Sequence, residues 1–131
     1  MNKLIKAVKN NDVEKVKEII EADINIDEKD EYDRTALMCA AQYGRTDTAR
    51  MLIDAGAKIE EKDNDRRTAL MWATMSGHTE IVRMLIDAAA KVDEKNKDGK
   101  TALMWATNGR RTDDIVRMLI DAAAKEEKNH E

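Results

Sequence analysis

The chain of 131 residues has the length of one compact domain, and 42% of its residues are apolar although Phe and Pro are absent. Since aromatic residues make up only 3%, aliphatic side chains and Met must fill the core, which argues against a β-sandwich. The 23 basic and 27 acidic residues give a net charge of −4, so the chain lacks the basic surface of a nucleic-acid-binding protein.

Cysteine, histidine and hydropathy exclude further classes of protein. A lone cysteine, Cys39, and two histidines, His78 and His130, cannot form an internal disulfide or an ordinary Cys/His metal site. No apolar run approaches the roughly 20 residues of a membrane-spanning helix, and charges interrupt the N-terminus too early for a signal peptide. We therefore expect a soluble cytoplasmic protein without a metal, a cofactor or a membrane partner.

The N-terminal segment, residues 1–29, predicts a pair of helices. Two apolar stripes with helical spacing flank a polar break at residues 10–12. The stripes consist of Leu4, Ile5, Ala7 and Val8, and of Val13, Val16, Ile19 and Ile20. Lysine and glutamate occupy the opposite sides of both helices, as expected for the capping unit of a repeat array.

The rest of the chain repeats itself. Thr-Ala-Leu-Met begins at residues 35, 68 and 101, so its copies follow at a constant interval. The block Arg-Met-Leu-Ile-Asp-Ala occurs at 50–55 and 83–88 with the same interval, and again one residue late at 117–122. Two blocks in step indicate a single domain of repeated units. We place the units at about residues 1–29, 30–62, 63–95 and 96–131.

Within each unit the sequence predicts a helix, a turn and a second helix. The threonine of each Thr-Ala-Leu-Met block caps the first helix, and a glycine at residue 44, 77 or 109 ends it. A threonine shortly after each glycine begins an amphipathic second helix. Polar segments such as residues 58–65 then predict exposed, hairpin-like connecting loops.

These units resemble the ankyrin repeat, whose signature is Thr-Pro-Leu-His-x-Ala followed by a glycine and an Ile-Val-x-x-Leu helix. Three copies in register cover nearly the whole chain. The resemblance implies an all-α ankyrin-repeat solenoid of stacked helix-turn-helix units. It also implies a non-catalytic module that binds a protein partner through a concave face made of loop tips and first helices.

Several positions depart from the pattern of the family. Methionine at residues 38, 71 and 104 replaces the signature histidine, which leaves the rigidity of the turn open. Glycine is replaced by Asp33 and Arg66 in two connecting turns, and by Ala89 and Ala123 at two unit exits.

The two exit alanines predict longer helices. A left-handed conformation at a non-glycine residue is unfavourable by about 1 kcal/mol, whereas Ala88–Ala90 and Ala122–Ala124 are strong helix formers. We therefore expect the second helices of the last two units to continue through these alanines. The shifted glycine of the last unit further predicts a bulged turn around residues 108–114.

The pattern of the family assigns candidate partner-binding residues to the concave face. Tyr32 and Tyr43 suit a binding patch because tyrosine is large, stiff and amphipathic. The other candidates are Arg34 and Gln42 in the same unit, Asp65, Arg67, Met75 and Ser76 in the next, and Asp98, Lys100 and Asn108 in the last.

Other chemically active residues have structural interpretations. We interpret Cys39 as a buried core thiol and His78 as a hydrogen-bonding residue at a turn between helices. Trp72 and Trp105 are expected to pack between units with their indole N–H reaching a partner or solvent. An enzyme or small-ligand protein would require a deep pocket with perturbed titratable groups, and the sequence does not indicate one.

Two alternatives stay open. The unchanged Arg-Met-Leu-Ile-Asp-Ala blocks are also compatible with an engineered or structural repeat scaffold that has no dedicated partner. The last unit keeps its full apolar pattern, which predicts exposed apolar surface and hence self-association, fraying or truncation from a longer array. Alternatively, the charged residues 125–131 fold back over that surface.

Overall fold

The computed structural model describes residues 2–22, 25–107 and 113–129. Within these ranges the chain forms eight α-helices and no strand. The helices are α1 (Lys3–Lys9), α2 (Val13–Glu21), α3 (Ala36–Tyr43), α4 (Thr46–Asp54), α5 (Ala69–Met75), α6 (Thr79–Asp87), α7 (Ala102–Thr107) and α8 (Asp113–Asn129). Residues 108–112 of the predicted bulged turn, among them Asn108, lie outside the described residues.

The helices are stacked as four consecutive pairs. Each odd-numbered helix packs against the even-numbered helix that follows it and against the odd-numbered helix of the next pair. The even-numbered helices form a second row in the same order. This arrangement confirms the predicted all-α solenoid of helix-turn-helix units.

Helices α3 and α5 begin and end at the predicted residues, and the predicted end of α7 at Gly109 lies outside the described residues. The hydroxyls of Thr35 and Thr68 accept hydrogen bonds from the backbone N–H groups of Met38 and Met71, at 3.2 and 3.3 Å. Gly44 and Gly77 adopt the left-handed conformation with φ of 70° and 73°. A side chain at Gly44 would also collide with the His78 ring, since a Cβ there would lie 2.6 Å from its Cε1 atom.

The core runs along the stack rather than forming one centre. Helix α3 is buried at every residue from Ala36 to Ala41, because it lies between α1 and α5 and is covered by α4. The second helices contribute one buried stripe each, such as Ile81, Val82 and Leu85 of α6. Each unit therefore depends on its neighbours for burial.

The expected extension of α6 through Ala88–Ala90 is wrong. The helix ends at Asp87, and Ala89 adopts a left-handed conformation with φ of 68°. The N–H of Ala90 closes the end of the helix on the carbonyl of Leu85, and the chain then turns to bury Ala90 and Val92. Burial of these two apolar residues outweighs the helix propensity of alanine.

The same expectation holds for α8, which continues through Ala122–Ala124 to Asn129. The residues that follow these alanines are Lys125 and Glu126, so the position of buried Val92 is occupied by a charged residue here. A turn at this point would bury no apolar side chain, and the helix therefore continues. Because the charged segment extends the helix, Met104 and Ile120 remain exposed.

The connecting loops are hairpin-like, although their described residues contain no strand. In each, a backbone N–H donates to a carbonyl further along the loop: Asp30 to Arg34, Asp63 to Arg67 and Asn96 to Lys100, at 2.9, 3.0 and 2.8 Å. We call residues 30–34, 63–67 and 96–100 the first, second and third tip loops. The left-handed residue of each is Asp33, Arg66 or Gly99, with φ of 60°, 61° and 78°.

Successive tip loops are bonded to each other. The N–H of Asn64 donates to the carbonyl of Tyr32 at 3.1 Å, and the N–H of Lys97 donates to the carbonyl of Asp65 at 2.8 Å. The three loops therefore form one continuous edge beside helices α3, α5 and α7. We call this edge together with those three helices the tip face.

Candidate functional site

One residue rigidifies each tip loop. Asp30, Asp63 and Asn96 occupy the same position in successive units, and the Oδ1 atom of each accepts two backbone N–H groups of its own loop. The six distances lie between 2.8 and 2.9 Å. These hydrogen bonds hold each turn locally, although methionine stands where the signature has histidine. Sequence reasoning missed these three side chains, although their constant spacing was a usable signal.

In the first tip loop the remaining oxygen of Asp30 binds Arg34. The Nε of Arg34 donates to Oδ2 of Asp30 at 3.0 Å, and its Nη1 donates to Oε1 of Gln42 at 3.2 Å. Burial opposes ionisation of Asp30, but the N–H groups of Arg34 and Tyr32 and the charge of the guanidinium outweigh it and lower the pKa of Asp30. Arg34 is thus neutralised and held by its own unit.

In the second tip loop the remaining oxygen of Asp63 has a different donor. The indole Nε1 of Trp72 donates to Oδ2 of Asp63 at 3.0 Å. Arg67 lies over the Trp72 ring, with its guanidinium carbon 5.0 Å from the ring centroid. Its Nε is buried without a hydrogen-bond partner among the described residues, and its nearest carboxylate contact is Asp65 at 3.6 Å.

In the third tip loop the corresponding acceptor is missing. Asn96 uses its single oxygen for the backbone of the loop, so its other terminal atom is an amide nitrogen, which donates. The indole Nε1 of Trp105 is buried and has no hydrogen-bond partner within the part of the chain that the structure describes. The expectation that the indoles reach a partner or solvent is therefore met at Trp72, whereas for Trp105 the described residues supply no partner.

A pocket of about 230 Å³ lies between the first two tip loops. Four predicted candidates meet there, with three residues that sequence reasoning did not include in the site. The lining residues are Tyr32, Arg34, Asp65 and Arg67, joined by Asp63, Asn64 and Trp72. Exposed Tyr32 forms one wall, and the stacked pair of Arg67 and Trp72 forms another.

Comparison with protein families identifies the architecture. A family model described as ankyrin repeats, three copies, matches residues 1–63 and 55–130. The chain belongs to the ankyrin-repeat family. Among curated proteins no relative matches this ankyrin-repeat chain. In the described ranges no helix is both long and apolar enough to cross a membrane.

The other predicted candidates of this ankyrin-repeat chain that the structure describes do not line the pocket. Gln42 and Tyr43 form the C-terminal end of α3, and the guanidinium of Arg45 lies 5.8 Å from the centre of the Tyr43 ring. The remaining candidates are Met75 at the end of α5, Ser76 at its cap, and Asp98 and Lys100 in the third tip loop. Asn108 lies outside the described residues.

The cysteine and histidine have the structural roles that the sequence indicates. Cys39 is fully buried, and burial raises the pKa of its thiol to about 11, which leaves it protonated at neutral pH. The Nε2 of His78 lies 3.2 Å from the carbonyl oxygen of Gln42, so the imidazole ties the start of α6 to the end of α3. Among the described residues, no group of three or more acidic, Cys or His side chains could hold a metal ion.

Proposed function

We propose that this chain is a non-catalytic cytoplasmic module, acting as one domain, that binds a protein partner through its tip face. Ankyrin repeats are generally protein–protein interaction modules. In the family the surface that corresponds to the tip face is concave. The proposal therefore assigns binding to the side of the stack that contains the pocket and both tyrosines.

The observation that carries the proposal is the pair of exposed tyrosines on this face. Tyr32 and Tyr43 are 56% and 41% exposed, although large apolar side chains of the described residues are otherwise mostly buried. An arginine lies over each ring, with Arg34 at 5.2 Å and Arg45 at 5.8 Å from the ring centre. Aromatic side chains held at the surface by arginine are typical anchors of protein interfaces.

Affinity capture with a double variant tests this proposal. We expect Tyr32→Ala with Tyr43→Ala to lose partners that the unchanged chain captures, as identified by mass spectrometry, while circular dichroism shows the same helix content. A control with Arg50→Ala and Arg83→Ala alters exposed positions of α4 and α6, and should retain those partners. If the tyrosine variant retains every captured protein, the proposal is wrong and a scaffold without a dedicated partner is favoured.

The exposed apolar residues of the last pair favour a second function, self-association with another copy of the chain. Met104 is 47% exposed, whereas its counterparts Met38 and Met71, which lie in pairs with neighbours on both sides, are 1% exposed. Ile120 of α8 is 50% exposed. We propose that this end pairs with the same end of a second copy, because the opposite end of the stack carries lysines on its outer side.

Sedimentation equilibrium over a range of concentrations tests the self-association. We expect the unchanged chain to dimerise with rising concentration, and Met104→Lys with Ile120→Lys to remain monomeric because each lysine would have to be buried. A chain that is monomeric throughout contradicts the proposal.

A further inference from the structure

We propose that the pocket between the first two tip loops binds a carboxylate of the protein partner, and that Arg67 is the residue that holds it. This inference rests on the proposed protein-binding function and names the chemistry of the group that is recognised. The evidence is a guanidinium on the wall of a pocket that makes no hydrogen bond among the described residues. Its Nε is buried without an acceptor, and its Nη1 has only the 3.6 Å contact with Asp65.

The matched arginine of the preceding loop shows what Arg67 lacks. Arg34 stands at the same position one unit earlier and donates to two acceptors, Asp30 and Gln42. At the positions that correspond to these acceptors, the free oxygen of Asp63 is taken by the Trp72 indole, and Met75 has only a weakly accepting thioether sulfur. Arg67 therefore makes neither of the two hydrogen bonds that Arg34 makes.

The neighbouring Asp65 does not supply the missing acceptor. Its closest oxygen lies 3.6 Å from Nη1 of Arg67, beyond a good charged hydrogen bond, and its other oxygen is 4.0 Å from Nζ of Lys97. The Asp65 side chain is 48% exposed, so this pair is weakened by solvent. A carboxylate from outside can therefore compete for the guanidinium.

The environment of Arg67 favours a carboxylate over other anions. The Trp72 ring supports the guanidinium and so preorganises the N–H groups of its two terminal Nη atoms, whose planar geometry suits a carboxylate. The exposed Tyr32 ring offers apolar contact for the short aliphatic stem that carries such a group. A phosphate dianion suits the pocket less well, because Asp63 and Asp65 also line it and repel the second charge.

Titration with three capped tripeptides, followed by NMR, tests the proposal. The probes are acetyl-Ala-Glu-Ala-amide, its Gln counterpart, and acetyl-Ala-Ala-Ala with an unblocked C-terminus. We expect the Glu peptide to shift the Nε–H signal of Arg67 and the indole signal of Trp72, and to bind at least tenfold more tightly than the Gln peptide. Stronger binding of the third peptide would assign the site to a C-terminal carboxylate instead of a side chain.

Variants of the pocket separate recognition from stability. Arg67→Gln should weaken binding of the Glu peptide at least tenfold, and Arg67→Lys should recover only part of it because lysine lacks the planar pair of donors. Met75→Gln places an acceptor where Gln42 serves Arg34, and should weaken binding by competing within the chain. Arg83→Gln, on the outer side of α6, is the control and should bind as the unchanged chain does.

Two outcomes overturn the carboxylate site. One is equal binding of the Glu and Gln peptides, and the other is unchanged binding after Arg67→Gln in a variant whose thermal unfolding shows that it is folded. In either case, partner capture that depends on Tyr32 and Tyr43 would still support the proposed function. Loss of the carboxylate site and loss of the protein-binding function can thus be told apart.

Discussion

Arg34 and Arg67 occupy the same position in consecutive units, yet the chain neutralises one and leaves the other without a strong acceptor. The cause lies in the first helix of each unit, which decides the donor to one aspartate oxygen. Cys39 is small and does not reach Asp30, so Arg34 donates instead. Trp72 stands at the equivalent position and takes the oxygen of Asp63 through its indole N–H.

The same residue at equivalent positions of two repeats therefore need not have the same role. The two aspartates make the same pair of hydrogen bonds to the loop backbone, and their loops have nearly the same left-handed turn. The units differ in the donor to the second aspartate oxygen and in the residue at the end of the first helix, which is Gln42 in one and Met75 in the other. A substitution in a first helix can therefore convert a structural arginine into one available for binding, without any change in the loop.

Removing the Trp72 indole should destabilise the chain more than the other substitutions. Trp72→Cys should lower the free energy of unfolding by about 3 kcal/mol, because a large side chain packed against the core is lost. It should also release the oxygen of Asp63 to Arg67, as in the preceding unit. Urea denaturation measures the first effect, and the NMR signal of the Arg67 Nε–H measures the second. An unchanged Nε–H signal would show that the indole does not determine whether Arg67 binds Asp63.

Asp63→Asn should cause the second-largest loss of stability. The amide keeps one oxygen for the loop but presents an N–H₂ group to the Trp72 indole, so a partly buried donor loses its acceptor. We expect a loss of about 2 kcal/mol in the free energy of unfolding. Asp65→Asn, in the same loop and more exposed, serves as the control and should change stability by less than about 0.5 kcal/mol. Equal losses in the two variants would contradict the role assigned to the indole hydrogen bond.

The repeat made most of the fold predictable. The spacing of Thr35, Thr68 and Thr101 placed the starts of three first helices correctly, because a threonine cap acts through a local hydrogen bond. The end of α6 was not predictable in this way. Local propensity favours helix at Ala89, and the burial of Ala90 and Val92 that overrides it depends on contacts with other units.

The candidate site was predictable only as a group of residues. The pattern of the family brought Tyr32, Arg34, Asp65 and Arg67 to one face, and the structure places these four around one pocket. Which donor reaches which oxygen was not predictable. Trp72 begins the second turn of α5, and nothing in the local sequence states that its indole reaches the Asp63 carboxylate before Arg67 does.

The charge of Asp30 makes the first tip loop sensitive to acid. Its pKa is lowered from the ordinary value of 3.8, so the carboxylate stabilises the fold fully above that pH, and this stabilisation is lost as the pH falls through the lower pKa of the folded state. Asp30→Asn should therefore lower the free energy of unfolding by about 1.5 kcal/mol at neutral pH. In strong acid the variant and the unchanged chain should unfold alike. A constant difference from neutral to acidic pH would contradict this explanation.

Asn96→Asp should stabilise the third tip loop by giving Trp105 the acceptor that Trp72 has. The new oxygen would accept the buried indole N–H, and the nearby ammonium of Lys100, 5.0 Å from the centre of the Trp105 ring, would offset the added charge. We expect a gain of about 1 kcal/mol in denaturant unfolding. The gain should disappear when Trp105→Phe is combined with it, because phenylalanine has no N–H to donate. A gain that survives in the double variant would have to come from charge alone.

The second and third units also differ in their second helices, and here we expect the smallest change in the free energy of unfolding. Thr48 of α4 stands where α6 has Ile81, and both side chains are buried. The Thr48 hydroxyl has no hydrogen-bond partner among the described residues, so its burial is uncompensated. Thr48→Val keeps the shape and removes that hydroxyl, and should raise the free energy of unfolding by about 0.5 kcal/mol. Thr79→Val, at the half-buried start of α6, is the control and should show no such gain. If Thr48→Val lowers stability instead, the hydroxyl has a partner that the side-chain geometry does not reveal, and the two second helices differ in more than one buried polar group.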